Sequence, residues 1–301
     1  MKKKKDIIGW WSGGVTSAVA CKLAIEIFGK DRVRMIMIDT KNEHEDTYRF
    51  KDDCEEWYGL PIEVITGIGE EYNDISDVWR KYKSLNTATG AICSTQLKRV
   101  VRERWEKDNA DFTHQVFGFE FERKEFNRAL GMTTNHGKRV KPIYPLLMYG
   151  YNKLDCLTVI QDAGIEVPVM YKMGFQNNNC FGTGCTQGGI GYWQKIQRDF
   201  PDKFNAMADM EHELTDLRGE PVTMLKDQSN KAKEAILVDK KANLVFLKKH
   251  KDYPNHKCIA DMKPQKVEPL FDCNGMCGIN DMSDRSSTEK EINYEQGDLF
   301  D

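Results

Sequence analysis

Short, uninterrupted apolar runs alternate with amphipathic stretches through the first half of the chain. Ile7 to Trp11 predicts a strand, followed by a glycine loop and a helix from about Thr16 to Phe28 that Gly29 stops. Val33 to Ile38 predicts a second strand ending at Asp39, and Ile62 to Ile65 a third, with a helix over roughly Thr47 to Tyr58 between them. Ser94 to Glu106 opens on Ser/Thr and continues in helix-forming residues. Gln115 to Phe119 reads as a strand with a charged helix behind it through Leu130. Ile143 to Leu147 reads as a short strand, and Asn152 to Ala163 as a helix ended by Gly164. Buried strands alternating with helices imply the α/β class, with a doubly wound, mostly parallel sheet covered on both faces. In such sheets ligands bind beyond the carboxyl ends of the strands. The glycine loop, Asp39 and the Glu120 region all fall at such ends.

After about residue 170 the pattern changes. Asn177 to Cys185 is turn-rich and cysteine-bearing, and a helical stretch from Trp193 to Leu217 is interrupted at Pro201. Ala235 to Val238 and Leu244 to Leu247 predict a small hairpin. The expected organisation is an α/β domain over 1–170, a smaller cysteine-bearing C-terminal region over 171–280, and a disordered acidic tail over 281–301.

Composition narrows the class. The 301 residues are 40% hydrophobic and 30% charged with a net charge of −3, so no global basic field advertises a nucleic-acid partner. No stretch approaches the ~18 apolar residues that span a bilayer. The lysines at 2–5 precede too short an apolar run for an export signal and read as a solvated tail. Nine cysteines, an odd number in a long chain, point to reduced thiols and a cytoplasmic location. Cys21, in a stripe with Ala18, Ile25 and Phe28, reads as core.

A strand running into Ser12-Gly13-Gly14-Val15-Thr16-Ser17 at a helix start has a clear use. Glycines let backbone approach a ligand, and the unpaired N–H groups of the first turn point at an anion. Ser12 and Ser17 add hydroxyl donors. The bland alternative is a plain glycine turn. The spacing is neither that of the Walker loop nor that of the Rossmann fingerprint.

The loop resembles the PP-loop of the ATP-pyrophosphatase (adenine nucleotide α-hydrolase-like) superfamily, in particular its phosphoadenosine phosphosulfate (PAPS) reductase-like branch. Four further segments carry that resemblance in order. They are Asp39 to Thr47, Cys93 to Arg99, Gly118 to Glu122 with Arg128 further on, and Ile143 to Leu146. Together they cover roughly residues 5 to 195. The resemblance implies a HUP-like PP-loop domain that binds an adenine nucleotide, ATP or PAPS. Ser12, Gly13, Gly14, Thr16 and Ser17 would hold phosphates, and the backbone near Asp39 the adenine or ribose. Thr16 stands where the superfamily usually carries Asp, so it donates a hydrogen bond but offers magnesium no carboxylate. Lys98 and Arg99 would neutralise phosphate charge, the alternative being a solvated basic helix face. Glu120 and Glu122 would orient substrate or bind Mg2+, the alternative being a surface ion pair with Arg123 or Lys124.

Thiolates gathered from loops bind zinc or iron–sulfur clusters. Cys180 and Cys185 lie in one glycine-rich turn, and Cys273 and Cys277 are separated by three residues further on. Sulfur-transferring PP-loop enzymes hold a four-iron cluster on few cysteines. By that resemblance Cys93, Cys180, Cys185 and Cys277 are the metal ligands, with an iron–sulfur cluster ahead of zinc; unconnected thiols are the alternative. Asn179-Cys180 with Gly188 to Trp193 is similar to a segment of phage and mobile-element members.

Three functions compete. The leading one is an ATP pyrophosphatase that adenylates a substrate for sulfur insertion, with Lys98, Glu120 and Cys277 as catalytic candidates and nucleic acid among the acceptors. The second is a true PAPS or adenylylsulfate reductase, in which Cys277 attacks sulfur; Met276-Cys277-Gly278 echoes part of that signature. The third is a nucleotide-binding module without turnover. Finally, Gln296 to Phe300 resembles the peptide with which bacterial proteins dock on the sliding clamp.

Overall fold

The structure is a computed structural model and describes residues 6–87, 90–178, 180–268 and 270. The chain runs β1 (Ile7–Trp11), α1 (Val15–Phe28), β2 (Val33–Asp39), α2 (Asp46–Tyr58), β3 (Ile62–Thr66) and α3 (Ile75–Tyr82). A two-strand pair, β4 (Asn86–Thr87) and β5 (Gly90–Ala91), leads into one long helical path: α4 (Ile92–Ser94), a π-helical turn (Thr95–Arg99) and α5 (Val100–Asp108). Then come β6 (His114–Val116), α6 (Arg123–Val140), β7 (Pro142–Ile143), α7 (Pro145–Tyr149), α8 (Lys153–Asp162) and α9 (Val169–Lys172). The remainder is α10 (Ile190–Asp199), α11 (Pro201–Arg218), β8 (Leu225–Lys226), α12 (Asn230–Ala235), β9 (Leu244–Phe246) and β10 (Lys257–Cys258).

Five strands form the central sheet in the order β3-β2-β1-β6-β7, and every pairing is parallel. Alternate residues of β1 explain why both faces must be covered. Ile7 and Trp11 pack with α1, α2 and α8, whereas Ile8 and Trp10 pack with Trp105, Phe117, Ala129 and Met132 on the opposite side. Burying each such side chain contributes roughly 1.5–3 kcal/mol. Strand order reverses between β1 and β6, so the crevice for a ligand opens where these two strands end. A third core joins Trp79, Leu85 and Leu97 to Phe181, Trp193, Phe204 and Leu214, which ties α3 and the π-helical turn to the C-terminal region. Among the described residues no helix is long and apolar enough to cross a membrane.

Three segments differ from the sequence reading. Ile143 to Leu147 is a strand only as far as Ile143, because Pro145, with its fixed φ, starts α7 instead. Ala235 to Val238 is no strand: Ser229 caps α12, and Leu237 and Val238 face solvent. The strand Leu244–Phe246 pairs with Leu225–Lys226 and Lys257–Cys258. The helix α3 went unread, although Asp74 caps it by accepting from the N–H groups of Ser76 and Asp77. Glu211 fastens the small sheet to α11, accepting from Met224 N at 2.9 Å and Leu247 N at 2.6 Å. Burial pushes its carboxyl up to about 8, against the downward pull of those two amides.

Candidate functional site

Gly13 takes φ +87°, a left-handed conformation that lets the chain turn from β1 into α1. The helix begins at Gly14 with no side-chain cap and no acidic residue in its first turn. The loop is braced from within: Ser17 Oγ donates to Gly14 O at 2.8 Å and accepts from Ser12 N at 3.1 Å. From outside, the Tyr171 hydroxyl accepts from Val15 N at 3.3 Å. Gly118, beyond the end of β6, lies against this helix start. A Cβ there would sit 2.7 Å from both Ser17 N and Ser17 Cα. A helix start with no side-chain N-cap and glycine before it is the kind of place where backbone N–H groups can meet an anion.

Beyond β2, Asp39 is fully buried and its carboxylate is spoken for. It accepts from Lys41 N at 2.7 Å and from the Tyr48 hydroxyl at 3.0 Å, and pairs with Lys41 Nζ at 2.9 Å. Burial, then this carboxylate, pushes the Tyr48 hydroxyl's pKa up. The loop that follows seizes the cysteine segment. Asn42 O accepts from Phe181 N (2.8 Å) and Gly182 N (2.9 Å), and the Asn42 side chain exchanges bonds with Thr183. Asn178 closes the strap from the other end. Its amide donates to Gly13 O at 2.9 Å and Thr47 Oγ1 at 3.1 Å, while its Oδ1 is buried without a partner. The cysteine segment is thus bonded directly to the glycine loop.

Cys93, Cys180 and Cys185 converge on one small cavity of about 20 Å³, walled also by Thr40, Trp79, Lys98 and Thr186. Glu43, its side chain 3% exposed, links three of these groups. It accepts from Thr40 Oγ1 at 3.0 Å and from Cys180 Sγ at 3.9 Å, and its Oε1 lies 3.7 Å from Lys98 Nζ. Burial and the Glu43 charge push the Cys180 thiol up to about 12, with Lys98 pulling the other way. Burial also raises Cys93, opposed by the hydroxyl of Thr186 (3.7 Å), the indole N–H of Trp79 and the charge of Lys98. These groups offset only part of the effect of burial, so the Cys93 thiol stays above its ordinary range.

The fold brings several of the residues singled out from the sequence close together. Lys98 is buried beside the thiols, and the neighbouring Arg102 is fully buried near Glu106, so neither lies on a solvated basic face. Arg99 is half-buried, with its Nε unpartnered. Thr16 and Ser17 are buried in the loop. Glu120 pairs with Lys153 at 3.5 Å rather than with Arg123 or Lys124, and Arg128 is buried against Glu125 at 2.7 Å. Cys273, Cys277 and the Gln296 to Phe300 peptide lie outside the described residues. Asn42, Glu43, Trp79 and Asn178 went unassigned. Only their tertiary partners distinguish them from ordinary loop and core residues.

The donor set suits a soft metal or cluster. Among the described residues, the one group of three His, Cys, Asp or Glu ligand atoms mutually within 4.8 Å is Asp216, His250 and Asp252. The three thiols are therefore spread more widely than a single zinc ion with ~2.3 Å bonds to sulfur requires.

The family model for the phosphoadenosine phosphosulfate reductase domain matches residues 6–181, a span that takes in the glycine loop, Cys93, Lys98 and Cys180. An uncharacterized protein of Methanocaldococcus jannaschii, MJ0066, is 29% identical over 210 residues, covering 66% of this chain and 40% of that protein. The crystal structure of a phosphoadenylyl-sulfate reductase from Candida auris in complex with phosphate aligns with 58% of this chain and 81% of its own, at 14% identity and a TM-score of 0.43.

Proposed function

The chain belongs to the phosphoadenosine phosphosulfate reductase domain family, and from that premise we propose that it is a cytoplasmic ATP pyrophosphatase that prepares an acceptor for sulfur insertion. The observation that carries this reading is the bonding of the cysteine segment to the glycine loop through Asn178, with Cys93, Cys180, Cys185 and Lys98 around one cavity behind it.

In this reading Ser12 to Ser17 hold the phosphates of ATP on the first turn of α1. An acceptor oxygen attacks the α-phosphorus, the bond to the bridging oxygen breaks, and its electrons leave with pyrophosphate. The backbone donors of the loop stabilise the charge that develops on that leaving group. The acceptor oxygen becomes part of an adenylate, which a sulfur nucleophile can displace. Glu120 is the strand-end carboxylate that would hold a magnesium ion, since Thr16 provides only a hydroxyl. Cys93, Cys180 and Cys185, with Cys277, would hold an iron–sulfur cluster, zinc being the alternative. Such a cluster, when bound, supplies a binding site for sulfur and electrons. The chain's own contribution there is to place Thr186 and Lys98 where they offset part of the burial that raises the Cys93 thiol.

The test is anaerobic purification, followed by iron, sulfide and zinc analysis and an assay of pyrophosphate release from ATP. Pyrophosphate release by protein carrying iron and sulfide is the expected result. Thioredoxin-dependent reduction of PAPS without ATP cleavage would install the reductase reading, which family membership favours. ATP binding with no turnover at all would leave a nucleotide-binding module.

A further inference from the structure

A second, larger cavity adjoins the thiol chamber. It is an open groove of about 800 Å³ between the β4–β5 pair, the end of α11 and β8. Ala91, Thr186 and Gln187 line both spaces, and Thr186 touches Cys93 at 3.7 Å, so the groove shares a wall with the thiol chamber. Its volume is that of a small-molecule site.

The lining has a definite chemistry. In a chain of net charge −3, no carboxylate lines this groove among the described residues, while two cations do, Arg218 and Lys226. Lys226 is exposed and makes no ion pair among the described residues. Arg218 holds Glu220 through Nε at 2.6 Å and keeps the far side of its guanidinium. Asn86 donates its amide to Thr186 O at 3.0 Å, and its Oδ1 is buried without a partner. Tyr82 presents a half-exposed ring to the same space. An unpaired lysine, an arginine whose guanidinium is only partly engaged by Glu220, and an aromatic face together fit an anion attached to a polar ring.

We propose that this groove binds the second substrate, a phosphate-bearing acceptor of nucleotide size, and delivers it past Thr186 to Cys93. The inference rests on the thiol chamber being the reaction centre. Its phosphate comes either from a free mononucleotide or from a single-stranded nucleic acid, and both present the same group to Lys226 and Arg218.

The experiment titrates the full-length protein, already saturated with ATP, with uridine monophosphate and with a short single-stranded oligonucleotide, by calorimetry. At least one probe binds, and Lys226→Glu weakens it about tenfold, with Lys226→Ala between, while ATP affinity stays as it was. Oligonucleotide binding that falls steeply with salt identifies nucleic acid as the source. Tight binding of the monophosphate alone identifies the small molecule. If neither probe binds, or if both Lys226 variants bind as the parent does, the groove is not an acceptor site. Failure of ATP to bind strikes the nucleotide reading instead, and the two probes then decide the groove unaided.

Discussion

Gly118 shows how much of the site rests on single atoms. The backbone of Ser17 and Thr16 stands where its Cβ would go, and backbone at a helix start cannot yield as a flexible side chain can. Gly118→Ala should push the glycine loop off its position and weaken ATP binding by about tenfold or more in calorimetry. Its circular dichroism should remain that of the parent. A second residue-scale consequence follows from Glu43. Cys180 sits at about 12 because of burial first and the Glu43 charge second, while Lys98 opposes both. Glu43→Gln removes the raising charge and frees Lys98 from its pair, so the Cys180 thiol loses its proton more readily. In metal-free protein, alkylation of Cys180 followed by mass spectrometry should be slow near neutral pH and climb as pH rises. In Glu43→Gln the whole profile should move to lower pH. An unmoved profile would mean that Glu43 does not govern this thiol. The glycine loop and the cysteines were legible because glycine and cysteine are rare enough to draw the eye. Glu43 and Asn178 were not, since an acid and an amide in loops mean nothing until their partners are known.

At the scale of elements, continuous apolar runs announced the strands well. Ile7–Trp11 and Val33–Asp39 must be apolar on both faces because helices cover both sides of the sheet. Glycines marked the helix ends, Gly29 and Gly59 both with positive φ. The small sheet was misread because two-residue strands are too short for periodicity, and pairing is set by long-range contacts such as the Glu211 clamp. That clamp predicts a pH effect. The folded carboxyl of Glu211 has a pKa near 8, above its unfolded value. Its contribution is therefore fully present below about pH 4.5 and is lost as pH rises toward about 8. Melting temperature should fall across that window, and Glu211→Gln should flatten the slope while lowering the plateau by a few degrees, because one of the two amides loses its acceptor. An equal slope in parent and variant would assign the pH dependence elsewhere. The π-helical turn belongs to this scale too: it carries Lys98 and Arg99, and its middle residue, Leu97, packs into the core shared with the C-terminal region.

For the molecule as a whole, two bonding systems join the cysteine segment to the first half of the chain. Asn42 and Asn178 hold the cysteine segment against the loops after β2 and β1, and Glu43 ties Lys98 to Cys180. The sequence reading placed a boundary near residue 170, yet α3 and the π-helical turn share a core with α10 and α11. A composition change along the chain cannot reveal that kind of sharing. The account's central claim is that nucleotide on the glycine loop and thiols in the chamber belong to one working site. It is tested by measuring the alkylation rate of Cys180 in metal-free protein with and without saturating ATP, in the parent and in Asn178→Ala. The parent should show a change of about fivefold or more on ATP binding, corresponding to ~1 kcal/mol of coupling. Asn178→Ala should still bind ATP but lose most of that response. An alkylation rate indifferent to bound ATP in the parent protein would contradict the account.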